Sequence, residues 1–265
     1  MTATTARTTL AMADGVASLR LNRPRAGNAI DPAMAASVDD ALRRVEDTDG
    51  VRAVLVSGAG RAFCVGGDVR YFGRHLDALP DALEEMTAVW QESVLPRLAR
   101  LPVPVVAAAH GIVGGGGLGL LWCADVGIAA DDLHLVSGFS ALGLPGDGGS
   151  TWFLPRLVGL RRAQQFLLRS APLSAGEALD WGLVSRVVPA SSLLDIAGAE
   201  AAAFASGPTW ALGAMKGLLA AGVDSTYPDH LTRERRVMCT GAGRRDAREG
   251  IRAALAGRRA VFDGT

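Results

Sequence analysis

Two glycine-rich turns are the first places in this chain where chemistry is possible. One is Arg61-Ala62-Phe63-Cys64-Val65-Gly66-Gly67-Asp68, and the other is His110-Gly111-Ile112-Val113-Gly114-Gly115-Gly116-Gly117. Each follows an apolar, strand-like run, and the second opens into a helix-like one. Turns of this composition expose backbone N–H groups, and a helix start adds a dipole that favours negative charge. Converging on one point, the two turns would form a hole for a developing oxyanion. Each donor in such a hole is typically worth about 2.7–4 kcal/mol of transition-state stabilisation. The alternative is a pair of tight connections between packed elements, and spacing alone does not choose between them.

Other chemistries are weaker. Gly114, Gly116 and Gly119 satisfy the dinucleotide-binding pattern GxGxxG, and Asp131-Asp132 follow the next strand, with Asp132 18 residues beyond Gly114. That spacing suits a ribose-binding acid, but four consecutive glycines meet the pattern almost by accident. The histidine-glycine run also suits an esterase oxyanion loop, yet no GxSxG nucleophile elbow occurs. His110 ends a buried strand and reads as a packed, hydrogen-bonded histidine. Cys64, Cys123 and Cys239 are odd in number, without CxxC spacing, and read as small buried hydrophobes in a reducing cytosol. No metal site is expected.

The elements that must position these turns follow an α/β pattern. Strands are expected at 16–21, 51–57, 103–109 and 125–129, and helices at 32–45, 82–98 and 116–123. Asp31-Pro32 supplies an N-cap followed by proline at the first helical position. Residues 1–15 lack the apolar core of a signal peptide and read as a frayed lead-in. Residues 103–124 carry no Lys, Arg, Asp or Glu, long enough to suggest a membrane span. Pro104, His110 and the glycine run break that reading into strand, turn and helix. Beyond residue 190 the pattern becomes wholly helical, with helices at 192–205, 209–220, 227–239 and 245–258. With 27 basic against 27 acidic residues, neither a nucleic-acid-binding face nor a membrane-surface face is expected. Glycine is in excess, 33 of 265 residues, against a usual share of roughly 7%.

Taken with their order and spacing, these motifs resemble the crotonase (enoyl-CoA hydratase/isomerase) superfamily, closest to its aspartate-using isomerases. The similarity runs through LNRPRAGNAI (21–30), GRAFCVGGDV (60–69), HGIVGGGGLGL, CADVGIA, LGLPGDGGSTWFLPRLVG (142–159) and LSAGEALDWGLVSRVVP (173–189). The resemblance implies a spiral of ββα units over residues 1–190, forming the acyl-CoA-binding core. It implies a C-terminal all-α region over 191–265 that builds trimers or dimers of trimers. The thioester carbonyl is expected between the amides of Val65 and Gly116, with CoA along Arg23, Arg25, Gly27, Gly67 and Asp68. Asp68 has a second reading, as a cap for local backbone. Tyr71, Phe139, Leu142 and Trp152 are expected near the acyl group, with Leu144 and Phe153 completing an apolar pocket. The implied enzyme is cytoplasmic and needs no cofactor beyond the coenzyme A of its substrate.

The departures from the family pattern narrow the chemistry. Hydratases of this family carry two glutamates, whose positions here hold Gly119 and Phe139. Asp147 instead aligns with the aspartate that several isomerases of the family use, and an apolar pocket would raise its pKa toward neutrality. The expected activity is a double-bond shift in an acyl-CoA thioester, with Asp147 as acid and base. Hydration through another acid and acyl-CoA binding without catalysis remain as alternatives. Aspartate before Gly148-Gly149 is also a favoured turn residue. Glu84, Glu85 and Glu92 read as a solvated helix face, and Ser140 as a possible water ligand.

Overall fold

The computed structural model describes residues 6–265. Its strands are β1 (Thr8–Ala13), β2 (Val16–Leu21), β3 (Ala53–Gly58), β4 (Ala62–Cys64), β5 (Val105–Ala109), β6 (Ile112–Gly114), β7 (Val126–Ala130), β8 (His134–Val136), β9 (Leu173–Ser174) and β10 (Arg186–Val188). The helices of the core are α1 (Pro32–Glu46), α2 (Val69–Gly73), α3 (Leu79–Thr87), α4 (Leu95–Arg100), α5 (Leu118–Trp122), α6 (Ser150–Arg169) and α7 (Ala175–Asp180). Four more close the chain: α8 (Leu193–Ala205), α9 (Thr209–Gly222), α10 (Tyr227–Ala242) and α11 (Arg245–Leu255).

Two sheets organise the molecule. One has the order β1-β2-β3-β5-β7-β10 and the other β4-β6-β8-β9. Strands β3, β5 and β7 in the first sheet are each followed by a partner, β4, β6 or β8, in the second. This is the expected spiral of strand pairs. Apart from β1–β2 and β8–β9, the pairings are parallel. The strands at the centre of the first sheet are buried on both faces, as parallel strands covered by helices must be. One face packs Val54, Val56, Val105 and Ala107 into the main core, and the other places Leu55, Val106 and Ile128 against Leu193, Ala197 and Ala201 of α8. The first helix beyond residue 190 therefore covers the sheet, while α9 and α10 bury no residue within the chain.

The N-terminal expectation needs correcting. The first five residues lie outside the described ones, but residues 8–13 form β1, not a frayed lead-in. Asp14 and Gly15 both have positive φ (52° and 77°), the requirement of the two-residue turn that folds adjacent strands into a hairpin. Other local signals worked as read. Asp31 caps α1 by accepting from the Met34 amide at 2.8 Å. The Cys239 expectation fails: this thiol is exposed, whereas Cys64 and Cys123 are buried. Among the described residues no helix is long and apolar enough to cross a membrane, and no three metal-ligating side chains cluster.

Asn28 joins the loop after β2 to the β3–β4 turn. Its side chain is fully buried and donates to the carbonyls of Ala59, Ala62 and Phe63 at 2.8–3.0 Å, while its oxygen accepts from the Arg23 amide at 2.8 Å. Asn28 also sits at φ 57°, a conformation asparagine tolerates better than most residues. Asn28→Ala deletes these bonds and leaves buried carbonyls short of donors. We expect a loss of about 3–5 kcal/mol, read as a lower urea midpoint at unchanged slope. A loss below about 1 kcal/mol would contradict this account of the loop.

Candidate active site

A cavity of about 350 Å³ opens between the two glycine turns. Gly67 and Gly114–Gly116 form its polar edge, Phe72 of α2 with Leu83 and Met86 of α3 one wall, and Phe139, Leu142 and Leu144 another. Asp147 reaches into it from the loop before α6. Few polar side chains share the lining, so a charge here meets little solvent.

The turns are held by mutual contact. Gly66 has φ 91°, and a Cβ built on it would stand 2.6 Å from the Gly114 carbonyl oxygen, so no larger residue fits. The Val65 amide donates to the Gly27 carbonyl at 3.0 Å and the Asp68 amide to Ile30 at 2.7 Å. Between them, the Gly67 amide has no acceptor among the described residues. This corrects the sequence expectation: Val65 lines the cavity with its side chain, but its N–H is consumed, and the donor offered by this turn is Gly67. The other expected donor, Gly116, lines the same cavity. Gly116 lies in the first turn of a short 3₁₀ segment, Gly115–Gly117, where amides have no intrahelical acceptor.

Asp147 lies directly against Gly116. Its Oδ1 is 3.0 Å from where a Cβ on Gly116 would be, and this oxygen is buried with no hydrogen-bond partner among the described residues. Desolvation pushes the Asp147 pKa up from the usual carboxylate value of 3.8 to about 6. Ionised and neutral forms are thus both accessible near physiological pH, as a proton shuttle requires. The loop is fixed behind it. Gly148, at φ 63°, brings its backbone so close to Gly116 that a Cβ would lie 2.9 Å from the Gly116 Cα. The same loop fills the space beside α5. A Cβ on Gly119 would meet the Gly148 carbonyl oxygen at 2.6 Å and Leu95 Cδ1 at 2.8 Å.

Gly67, Gly116, Phe139, Leu142, Leu144 and Asp147 are thus brought together with the Val65 side chain, whereas Arg23, Arg25, Gly27, Asp68, Tyr71 and Trp152 do not line the cavity. Trp152 does not line the cavity; it is 44% exposed under the Arg156 guanidinium, 4.0 Å away. The exposed Tyr71 hydroxyl donates to Glu85 at 2.6 Å. Arg23 pairs with Asp68 at 2.6 Å and with Asp31 at 3.2 Å. Asp68 also caps α2 through the Arg70 and Tyr71 amides, which is its second reading; these partners, offsetting burial, hold its pKa below the usual range. Gly27 supplies the carbonyl that Val65 uses, and Arg25 is exposed.

Competing readings lose their residues to structure. Asp132 and Asp131 accept from the backbone amides of Gly111 and Ala190, which fits loop closure rather than ribose binding. His110 Nε2 pairs with the Gly60 carbonyl at 3.0 Å. Cys64 is buried as expected, and burial pushes its thiol up to about 12. Ser140 bonds Ser170 at 2.6 Å and does not line the cavity. The family resemblance already sets this helix beside the acyl pocket, but its wall residues Leu83 and Met86 were not among the expected ones, although the apolar spacing of Leu79, Ala82, Leu83 and Met86 carries the signal of a buried face.

The enoyl-CoA hydratase/isomerase family model matches residues 11–265. A 1,2-epoxyphenylacetyl-CoA isomerase of Escherichia coli is 37% identical over 252 residues, covering 94% of this chain and 95% of the relative. A 4-chlorobenzoyl coenzyme A dehalogenase of Arthrobacter is 32% identical over 213 residues, 80% of this chain and 77% of the relative. Among solved structures, an enoyl-CoA hydratase from Polaromonas superposes with a TM-score of 0.91 at 27% identity, covering 96% of this chain and 99% of that one.

The raised Asp147 pKa has a stability consequence. Between 3.8 and about 6 the folded state holds a proton that the unfolded state has lost, so stability falls as pH rises through that window. Asp147→Asn removes this cost. We expect the variant to gain roughly 2–3 kcal/mol over the natural protein at pH 8, with the advantage vanishing below pH about 4. Urea unfolding at both pH values checks it, and a pH-independent difference would contradict the buried, unpartnered carboxylate.

Proposed function

Because the chain belongs to the enoyl-CoA hydratase/isomerase family, we propose that it shifts a double bond in an acyl-CoA thioester, with Asp147 as both base and acid. The observation that carries this reading is the Asp147 carboxyl set against Gly116, its Oδ1 buried without a hydrogen-bond partner among the described residues; desolvation pushes its pKa up to about 6. In a 3-enoyl thioester the protons on the α-carbon are both allylic and next to the carbonyl. The Asp147 carboxylate takes one of them. The electron pair spreads over the dienolate, whose oxygen accepts from the Gly67 and Gly116 amides. The protonated Asp147 then returns the proton to the γ-carbon, leaving the double bond between the α- and β-carbons. No water is consumed.

Two features favour isomerisation over hydration. A hydratase of this family orients water with two glutamates, and Gly119 and Phe139 stand at those positions. The Gly148 carbonyl and Leu95 close off any side chain at 119. The apolar walls hold the acyl chain and exclude solvent. The CoA end is assigned to the loop of Arg23, Arg25 and Gly27, where Arg25 is the exposed cation and Arg23 orders the loop through Asp68 and Asp31.

We further assign α9 and α10 to contacts between copies, as a homotrimer or a dimer of trimers. Lys216 is the one charged residue of α9, yet Met215, Leu219 and Met238 on these helices are 51–77% exposed. A largely apolar helix without buried residues needs a partner.

Asp147→Asn keeps the shape of the side chain and removes the base. Turnover of 3-enoyl-CoA substrates should fall by about 10²–10⁴, while affinity for a saturated acyl-CoA stays within a few-fold. For the natural enzyme, kcat/KM should rise about tenfold per pH unit below pH 6 and level off above it. Retention of most of the activity by the variant would sink the mechanism. Formation of a hydroxyacyl product by the natural enzyme would favour hydration instead.

A further inference from the structure

Four consecutive glycines, 114–117, carry one of the proposed donors, and glycine has the least intrinsic preference for any one conformation. Gly116 has no side chain with which to fix itself, so its amide is aimed by whatever grips the neighbouring peptide. Among the described residues, one side-chain hydrogen bond reaches this run: Trp90 Nε1 donates to the Gly116 carbonyl at 3.0 Å. Trp90 is 1% exposed, so water does not compete for that carbonyl.

The helix that carries Trp90 departs from regular geometry at this point. Between α3 and α4, residues Ala88–Val94 form a π-helical segment, a rare conformation that recurs at functional sites. An α-helix turns about 100° per residue, so tightening the segment would swing Trp90 off the line to Gly116. The wide turn lets one continuous helix do two jobs. Leu83 and Met86 face the cavity, and Trp90, one turn on, faces the back of the glycine run.

We propose that Trp90 is a positioning residue of the oxyanion hole, its indole N–H holding the Gly116 carbonyl so that the Gly116 amide points at the thioester oxygen. The inference rests on the reading of Gly116 as a thioester donor. The indole touches no reacting atom; its effect is on how strongly the thioester carbonyl is polarised and not on how tightly the acyl chain is held.

The test uses 2,4-hexadienoyl-CoA, whose absorbance moves to longer wavelength when its carbonyl is polarised, together with steady-state kinetics on a 3-enoyl-CoA. Two variants are compared with the natural protein: Trp90→Phe, and replacement of Trp90 by benzothienylalanine, which keeps the shape of the indole and puts sulfur in place of the N–H. The isostere decides the matter should Trp90→Phe fail to fold. The natural protein should red-shift the bound chromophore. The isostere should lose at least about half of that shift and about ten- to a hundredfold in kcat, with KM within about twofold. An unchanged shift and unchanged kcat in the isostere would overturn the role of Trp90 alone. A raised KM at unchanged kcat would also overturn it, since that is what lost packing does. No shift in the natural protein would remove the thioester-donor reading itself, and this inference with it.

Discussion

The two glycine turns touch backbone to backbone, and the site depends on that contact. Gly66 meets the Gly114 carbonyl at a distance that no Cβ survives, and Gly148 meets Gly116 almost as closely. Side chains cannot be accommodated at these places, so the amides of Gly67 and Gly116 and the carboxyl of Asp147 can share one small volume. The spiral of strand pairs exists, in this view, to bring the ends of β4 and β6 side by side. Asn28, the Arg23–Asp68 pair and the Ile30 bridge then hold the first turn, and Trp90 holds the second.

Burial works in two directions in the same cavity. Apolar walls raise the cost of an ionised Asp147, which lifts its pKa into the range where one group can take and give a proton. In the proposed mechanism the same walls lower the local dielectric, so two backbone donors count for more against a developing oxyanion than they would in water. On the proposed reading, the stability lost to an unpartnered carboxylate is a common cost of a working site. The absence of a side chain at 119 belongs to this arrangement, since the space is taken by the loop that delivers Asp147.

Much of this was legible in the sequence where the physics is local. Asp31-Pro32 announced the start of α1, and the long charge-free stretch resolved into strand, turn and helix at the glycine run. The hairpin at Asp14-Gly15 was not legible in the same way, because residues 8–13 lack a strong alternation of apolar and polar types. What was not legible depends on direction in space. Val65 and Gly67 flank Gly66 alike in the sequence, and no residue type at 65 records that its amide is consumed by Gly27. Trp152 is as apolar in the sequence as Phe139, but α6 turns it outward onto Arg156. The π turn at Ala88–Val94 has no marker in residue type, so the link between Trp90 and Gly116 required coordinates.

The central claim is that one carboxylate carries a proton from one carbon of the acyl chain to another without water entering. A 3-enoyl-CoA labelled with deuterium at the α-carbon and turned over in ordinary water tests it most directly. The account predicts that part of the conjugated product carries deuterium at the γ-carbon, transferred by Asp147 before exchange with solvent. Complete loss of the label to water, together with a hydroxyacyl-CoA product, would contradict it.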